Sequence, residues 1–121
     1  MPALRRKTRV KNLKPIDAVY IAAFIDCDGS FGRYKNGKGY YHKVVNLFNN
    51  NKKVLDWVNG VVGCGNVKIK IKKIKNPKHK TQYLWGLYSE IDIIRLFKQV
   101  RPYMKIKKEK AKEMLKPNNS L

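Results

Sequence analysis

The sequence predicts an α+β protein with the order αββαββα and one further helix at its end, and three observations predict it. Apolar residues recur at helical spacing over 16–27 and again over 54–62, and each of these stretches is followed by a pair of strand-like segments. The members of each pair are separated by turn signals, Asn36-Gly37-Lys38-Gly39 in the first and Asn76-Pro77 in the second. The length of 121 residues and the hydrophobic fraction of 43% suit one domain with a real core. Residues 15–121 are therefore expected to form a single domain made of two αββ halves, preceded by a flexible basic arm over 1–14.

That arm carries six basic residues, Arg5, Arg6, Lys7, Arg9, Lys11 and Lys14. A nucleic-acid arm and a solubilising tail remain equal readings of it. Pro15 then stands where a first helical residue often stands, with Asp17 in the first turn. Ile16, Val19, Tyr20, Ala23, Phe24 and Cys27 mark one apolar helical face, and Ala18, Ile21, Ala22 and Ile25 mark a second. A helix that is apolar all round must be covered all round. One face is expected to pack on its own domain. The other, assigned to Ala18, Ile21, Ala22 and Ile25, is expected to pack on a second copy.

After Gly29, residues 30–35 and 40–49 form a first hairpin. Val54, Leu55, Val58, Val61 and Val62 form the stripe of a second helix, stopped by Gly63. Val67, Ile69 and Ile71 alternate with Lys68, Lys70 and Lys72, the pattern of a strand with one wet face. Residues 81–88 return as a fourth strand. Ser89 with Asp92 suits the start of a helix bearing Ile93, Leu96, Phe97 and Val100. Pro102 ends it, and a charged helix is expected from about 105 to 116.

Charge narrows the functional classes. Against 28 Lys and Arg stand 8 Asp and Glu, a formal net charge of +20. Such an excess opposes compaction unless a polyanion neutralises it. No acidic residue lies between Gly29 and Asp56, or between Asp56 and Glu90, so both hairpins carry one sign of charge only. A solvated sheet face normally mixes both signs. Strands can enter the DNA major groove, where Lys, Asn and Gln read base edges. The candidate DNA contacts are Arg33, Lys35, Lys43 and Asn46 in the first hairpin, and Lys68, Lys70, Lys72, Lys73, Lys75, Lys80 and Gln82 in the second. In the first hairpin, strict alternation from an inward Phe31 would also turn Arg33 and Lys35 inward. A bulge or an early strand end is therefore expected there.

Cys27 and Cys64 match no compact zinc module with His42 and His79, and read as small hydrophobes. The N-terminal residues lack the apolar run of a secretory signal, and no stretch reaches the length of a membrane span. The expectation is a soluble intracellular protein, not secreted, found wherever its host's DNA is, in an organelle or in archaeal or bacterial cytoplasm. Neither a membrane nor a small-molecule substrate is expected as a partner.

Chemistry concentrates in one place. Asp26 and Asp28 end the first helix at the negative pole of its dipole, a placement that costs a few tenths to about 1 kcal/mol each. Acids kept there suggest a compensating cation, and oxygen ligands suit Mg²⁺. Small Ala22 and Ala23 would allow two such helices to approach closely.

The stretch Tyr20-Ile-Ala-Ala-Phe-Ile-Asp-Cys-Asp-Gly-Ser-Phe31 resembles the LAGLIDADG homing endonuclease family, with Ile21 to Gly29 as the motif. It departs from the family pattern at Ile21, Ala23, Phe24 and Cys27. The resemblance runs over nearly the whole chain from Pro15. It implies a saddle-shaped antiparallel sheet straddling DNA, with the motif helices at a two-fold interface. One motif copy implies a homodimer reading a long palindromic or pseudo-palindromic site, cut on both strands with short 3′ overhangs by Mg²⁺-dependent hydrolysis in the service of intron homing. Asp28 with the backbone carbonyl of Cys27 would hold the metal. Asn49, at the end of the second strand, matches a polar residue that positions water. Lys107, in Pro102-Tyr-Met-Lys-Ile-Lys107, matches an active-site lysine, and Lys52 or Lys53 matches a basic residue opening the second helix. The alternative functions are an RNA maturase or a non-catalytic DNA-binding regulator with this fold; more distant is a basic ribosomal protein. Retention of both Asp26 and Asp28 favours the nuclease.

Overall fold

A computed structural model describes residues 7–35, 37–71 and 81–116. The element order is α1 Pro15–Asp28, β1 Gly29–Lys35, β2 Tyr41–Asn49, α2 Lys52–Val62, β3 Asn66–Ile71, β4 Gln82–Leu87 and α3 Glu90–Val100, followed by 3-10 turns at Arg101–Tyr103 and Lys110–Leu115. The αββαββα order expected from periodicity is the order observed.

The four strands form one antiparallel sheet in the order β1-β2-β4-β3. Side chains alternate across it. Phe31, Val45, Leu47, Trp85 and Leu87 face the helices and are buried, together with Ile21, Ala22 and Ile25 of α1, Leu55, Val58 and Val62 of α2, and Ile93, Leu96, Phe97 and Val100 of α3. Each fully buried Val, Leu, Ile or Phe among them contributes about 1.5–3 kcal/mol. The opposite face of the sheet carries no helix among the described residues.

Local chemistry fixes the joints. α1 begins at Pro15, which has no N–H to leave unpaired, and ends where the Gly29 N–H donates to the Ile25 carbonyl. A Cβ at Gly29 would lie 2.7 Å from that carbonyl oxygen, so only glycine lets β1 leave the helix so tightly. α2 is capped by the Asn51 side chain, which accepts from the Lys53 N–H, and stops at Gly63 with φ +99° in the left-handed region.

Several expectations need correction. Ala18, Ile21, Ala22 and Ile25 are 0–3% exposed within the single chain, so they are core and no interface between copies. The face of α1 left open is the other one: Ile16 is 77% exposed, Val19 46% and Tyr20 53%, with Ala23 and Cys27 also exposed. The two faces are equally apolar, and the all-round apolarity of α1 erased the distinction.

The described part of the N-terminal segment is docked, not free. Thr8 Oγ1 and the Arg9 N–H each donate to Asp92 Oδ1 at 2.9 Å, and the Arg9 guanidinium reaches Asp92 Oδ2 at 3.1 Å. The Lys11 N–H donates to the Val62 carbonyl at 2.8 Å. Gln99 clamps the strap from both sides, accepting from the Leu13 N–H at 2.7 Å and donating to the Lys11 carbonyl at 3.0 Å. Val10 enters the core at 6% exposure. Asp92 thus holds this strap, and Ser89 at the α3 N-cap makes no side-chain cap hydrogen bond.

The expected helix from about residue 105 to 116 is absent. Its start is a bend over 105–107, because the buried Asp26 carboxylate collects the N–H groups of Lys105, Ile106 and Lys107 at 2.5, 2.9 and 2.7 Å. Only Lys110–Leu115 winds, as a 3-10 turn.

The first hairpin pairs without a bulge, from Gly29↔Leu47 to Lys35↔Tyr41. Strict alternation therefore holds, and Arg33, Lys35 and Lys43 all lie on the helix-side register. The Arg33 guanidinium stacks over the Tyr41 ring at 4.1 Å and meets Glu113 at 3.8 Å. Lys43 is 1% exposed, and its ammonium donates to the Lys116 carbonyl. Burial pushes the Lys43 ammonium below its ordinary pKa; Glu90 opposes the shift, and Arg33 adds to it. Arg33 and Lys43 are corrected accordingly: neither is presented on the open face. Lys35, at the strand's exposed end, shares the inward register but not the burial.

Candidate catalytic and nucleic-acid-binding site

Asp28 is the last residue of α1 and is exposed, unlike its neighbour Asp26. It lines a cleft of about 270 Å³ together with Tyr20, Ala23, Phe24, Cys27, Asn49 and Val54. The fold thus brings together Asp28, Cys27 and Asn49, which lie up to 22 positions apart in the chain. Asn49 ends β2, and its Oδ1 accepts from the Asn51 N–H at 2.8 Å. With one lone pair of that oxygen engaged in the turn, Asn49 can offer the cleft its amide donors and the remaining lone pair.

Lys107 reaches the end of α1 from the bend over 105–107. Its ammonium donates to the Gly29 carbonyl at 2.9 Å, one residue beyond Asp28. The reason it can do so is Asp26. Burial alone would push the Asp26 carboxyl up, but the N–H groups of Ile106, Lys105 and Lys107, with the Lys107 charge, outweigh it and hold the pKa below its ordinary 3.8. The two motif acids therefore have different work. Asp26 pins the 105–107 bend, and Asp28 stays open to the cleft.

Of the two lysines opening α2, Lys52 ties its ammonium to Asp56 at 2.9–3.1 Å, and Lys53 is exposed. Among the described residues no three His, Cys, Asp or Glu side chains converge on a metal position. One exposed carboxylate beside the last backbone carbonyls of a helix is an all-oxygen donor set, which fits Mg²⁺, an ion that keeps several waters and takes phosphate oxygens from its substrate.

The open face of the sheet begins at Ser30, two residues beyond Asp28. Register places Ser30, Gly32 and Tyr34 of β1 there, with His42, Val44, Asn46 and Phe48 of β2, Gln82, Leu84 and Gly86 of β4, and Asn66 and Lys68 of β3; Lys70 lies at a β-bulge between Ile69 and Ile71 and reaches this face over Phe48. Of the expected DNA contacts, Asn46, Lys68, Lys70 and Gln82 lie on this face. The Lys70 ammonium sits over the Phe48 ring at 4.0 Å, and the Lys68 ammonium 5.7 Å from the Tyr88 ring centroid. Lys72, Lys73, Lys75 and Lys80 lie outside the described residues. Sequence reasoning missed Tyr34, His42, Phe48 and Tyr88 on this face, although the parity that turns Val45 and Leu47 inward turns His42 and Phe48 outward.

No family model matches the chain, and no curated protein matches it. Solved structures do. The homing endonuclease I-CvuI, in complex with its target, superposes with a TM-score of 0.68 at 16% identity, covering 84% of this chain and 64% of that one. The archaeal intron-encoded homing endonuclease I-Vdi141I, complexed with DNA, gives 0.63 at 19% identity over 82% of this chain and 64% of that one. The homing endonuclease I-TnaI gives 0.59 at 19% identity, over 86% and 70%. The chain thus has the fold of the LAGLIDADG homing endonucleases. It spans 64% of the length of I-CvuI and of I-Vdi141I.

Proposed function

We propose that this chain is a LAGLIDADG homing endonuclease that cuts double-stranded DNA at a specific site as a homodimer. The observation that carries the reading is the meeting of three features at the end of α1. These are an exposed Asp28 in a cleft with Asn49, a lysine brought beside it by Asp26, and an adjoining sheet face whose described charges are all positive.

The open side of α1 supports the dimer. Ile16, Val19, Tyr20, Ala23 and Cys27 form an uncovered apolar face ending at Asp28, and Tyr20 meets Trp57 edge-on at 5.1 Å. Two copies packed across a two-fold axis on this face would bring two Asp28 carboxylates together, one per DNA strand. A two-fold protein reads a palindromic or pseudo-palindromic site.

Asp28 and the Cys27 carbonyl would hold Mg²⁺, which when bound activates water and neutralises charge at the phosphodiester. The protein's own groups do the rest. Asn49 offers an amide donor to orient the attacking water. The Lys107 ammonium, held on the Gly29 carbonyl, places positive charge where negative charge develops on the phosphate. The buried backbone frame set by Asp26 keeps that lysine in place.

Asp28→Asn should abolish cutting of a plasmid bearing a site selected from a random library, while binding is kept or improved, because a negative charge beside phosphate is removed. Lys107→Ala should slow cutting without changing which site is cut. Cutting that survives chelation, or that persists in Asp28→Asn, refutes the assignment of roles. Sequence-specific binding without any cutting would make the chain a regulator.

A further inference from the structure

One polar row crosses the open face close to the cleft. Ser30, Asn46, Gly86 and Asn66 pair side by side across β1, β2, β4 and β3, and Ser30 stands two residues beyond Asp28. In the middle of the row Gly86 leaves a gap, and the side chain of Tyr88 folds back across it. A Cβ at Gly86 would lie 2.2 Å from the Tyr88 hydroxyl oxygen and 3.0 Å from Asn46 Oδ1. Both polar atoms therefore lean over the same glycine. The Tyr88 hydroxyl donates to Asn46 Oδ1 at 3.2 Å.

This contact decides what Asn46 can present to a base. An asparagine reads adenine by offering oxygen and nitrogen together, accepting from N6 and donating to N7. Here the oxygen is turned along the sheet towards β4 and occupied by a hydroxyl, so the amide's outward edge is its NH₂ group. Such an edge consists of donors only, and it complements an edge of acceptors only, which in the major groove is guanine with N7 and O6.

We propose that Tyr88 is a positioning residue for base recognition: by holding the Asn46 oxygen over Gly86 it makes Asn46 select guanine over adenine at one position of each half-site. The proposal rests on the DNA-cleaving reading above. It adds a residue, a glycine with a reason, and a base identity to it.

The test is a binding selection from a randomised DNA library with the full chain, repeated for Asn46→Ala, Tyr88→Phe and Tyr88→Ala. The unmodified protein should show a guanine preference that Asn46→Ala erases at a single position per half-site, a loss of about 5- to 150-fold in discrimination. Tyr88→Phe keeps the ring over Gly86 and removes only the hydroxyl. It should relax the same position towards adenine by about tenfold or more and leave the preferences elsewhere in the site as they were. Tyr88→Ala should do the same and also weaken overall binding through Lys68. The inference is overturned if the position governed by Asn46 prefers adenine in the unmodified protein, or if Tyr88→Phe leaves its preference unchanged. If the unmodified protein selects no sequence at all, the DNA-cleaving reading fails, and this inference fails with it.

Discussion

Replacing Asp26 by Asn tests the frame on which Lys107 rests. In the folded protein Oδ2 accepts from the Lys105 and Ile106 N–H groups and Oδ1 from the Lys107 N–H, with the residue 4% exposed. Asparagine has one oxygen. Placed at Oδ2 it preserves two bonds, weakened from charged to neutral, and sets its NH₂ against the Lys107 N–H. An unsatisfied buried donor costs about 1–3 kcal/mol, and loss of charge assistance adds roughly 1 more, so Asp26→Asn should destabilise by about 2–4 kcal/mol at pH 7. The pH dependence gives a second, independent reading. The folded pKa lies below the ordinary 3.8. The stabilisation is therefore complete above about pH 4 and disappears as pH falls through the folded value. Asp92 carries a shift of the same sign, because the Arg9 N–H, Thr8 and the Arg9 charge outweigh its burial. Some acid sensitivity will thus remain in the variant. Urea unfolding of both proteins from pH 7 to pH 3 isolates the Asp26 part as the gap between the two curves, which should narrow in acid. A variant within about 0.5 kcal/mol of the unmodified protein at pH 7, or a gap constant down to pH 3, would refute the role given to Asp26.

Two further outcomes separate the corrected structure from the sequence reading. Ala23→Lys should give folded monomers by sedimentation, because it puts a charge on the uncovered face of α1. Ala22→Lys should instead unfold the chain, because Ala22 is fully buried; a folded, monomeric Ala22→Lys would restore the original assignment of faces. Lys70→Ala should reduce the slope of log affinity against log salt by roughly one unit, as one phosphate contact is lost, whereas Lys43→Met should leave that slope unchanged, since its ammonium is buried against the Lys116 carbonyl. Equal slopes for the two variants would show that Lys43 reaches DNA after all.

The order of elements was legible because it depends on local signals. Pro15, the glycine after α1, the alternation of 67–71 and Gly63 each report on their immediate neighbours. Asp28, Asn49 and Lys107 were also nameable, from the resemblance; that Asp28 and Asn49 share one cleft while the Lys107 ammonium sits on the Gly29 carbonyl belongs to the fold. What escaped was settled by residues far away. Lys43 and Arg33 follow the strand parity inward because Glu113 and the Lys116 carbonyl, some 70–80 positions on, give them partners. From the sequence alone an inward lysine has no partner, which is why the pattern there predicts a bulge. The docking of the strap was hidden for the same reason, although Val10 and Leu13, apolar residues three apart amid basic ones, were a visible hint. The faces of α1 could not be told apart at all, since apolarity was the only available signal and both faces carry it.

The strap over residues 8–13 also bears on how the chain comes to be folded. Its partners Asp92 and Gln99 stand 83 to 88 positions further on. Closing so long a loop costs only modestly more than closing a short one, but contacts of such separation form slowly. During synthesis this segment leaves the ribosome long before α3 exists. Until α3 emerges, the Arg9 and Leu13 N–H groups lack their acceptors on Asp92 and Gln99. The half-made protein therefore exposes a basic, partly apolar thread, which settles only once α3 has formed.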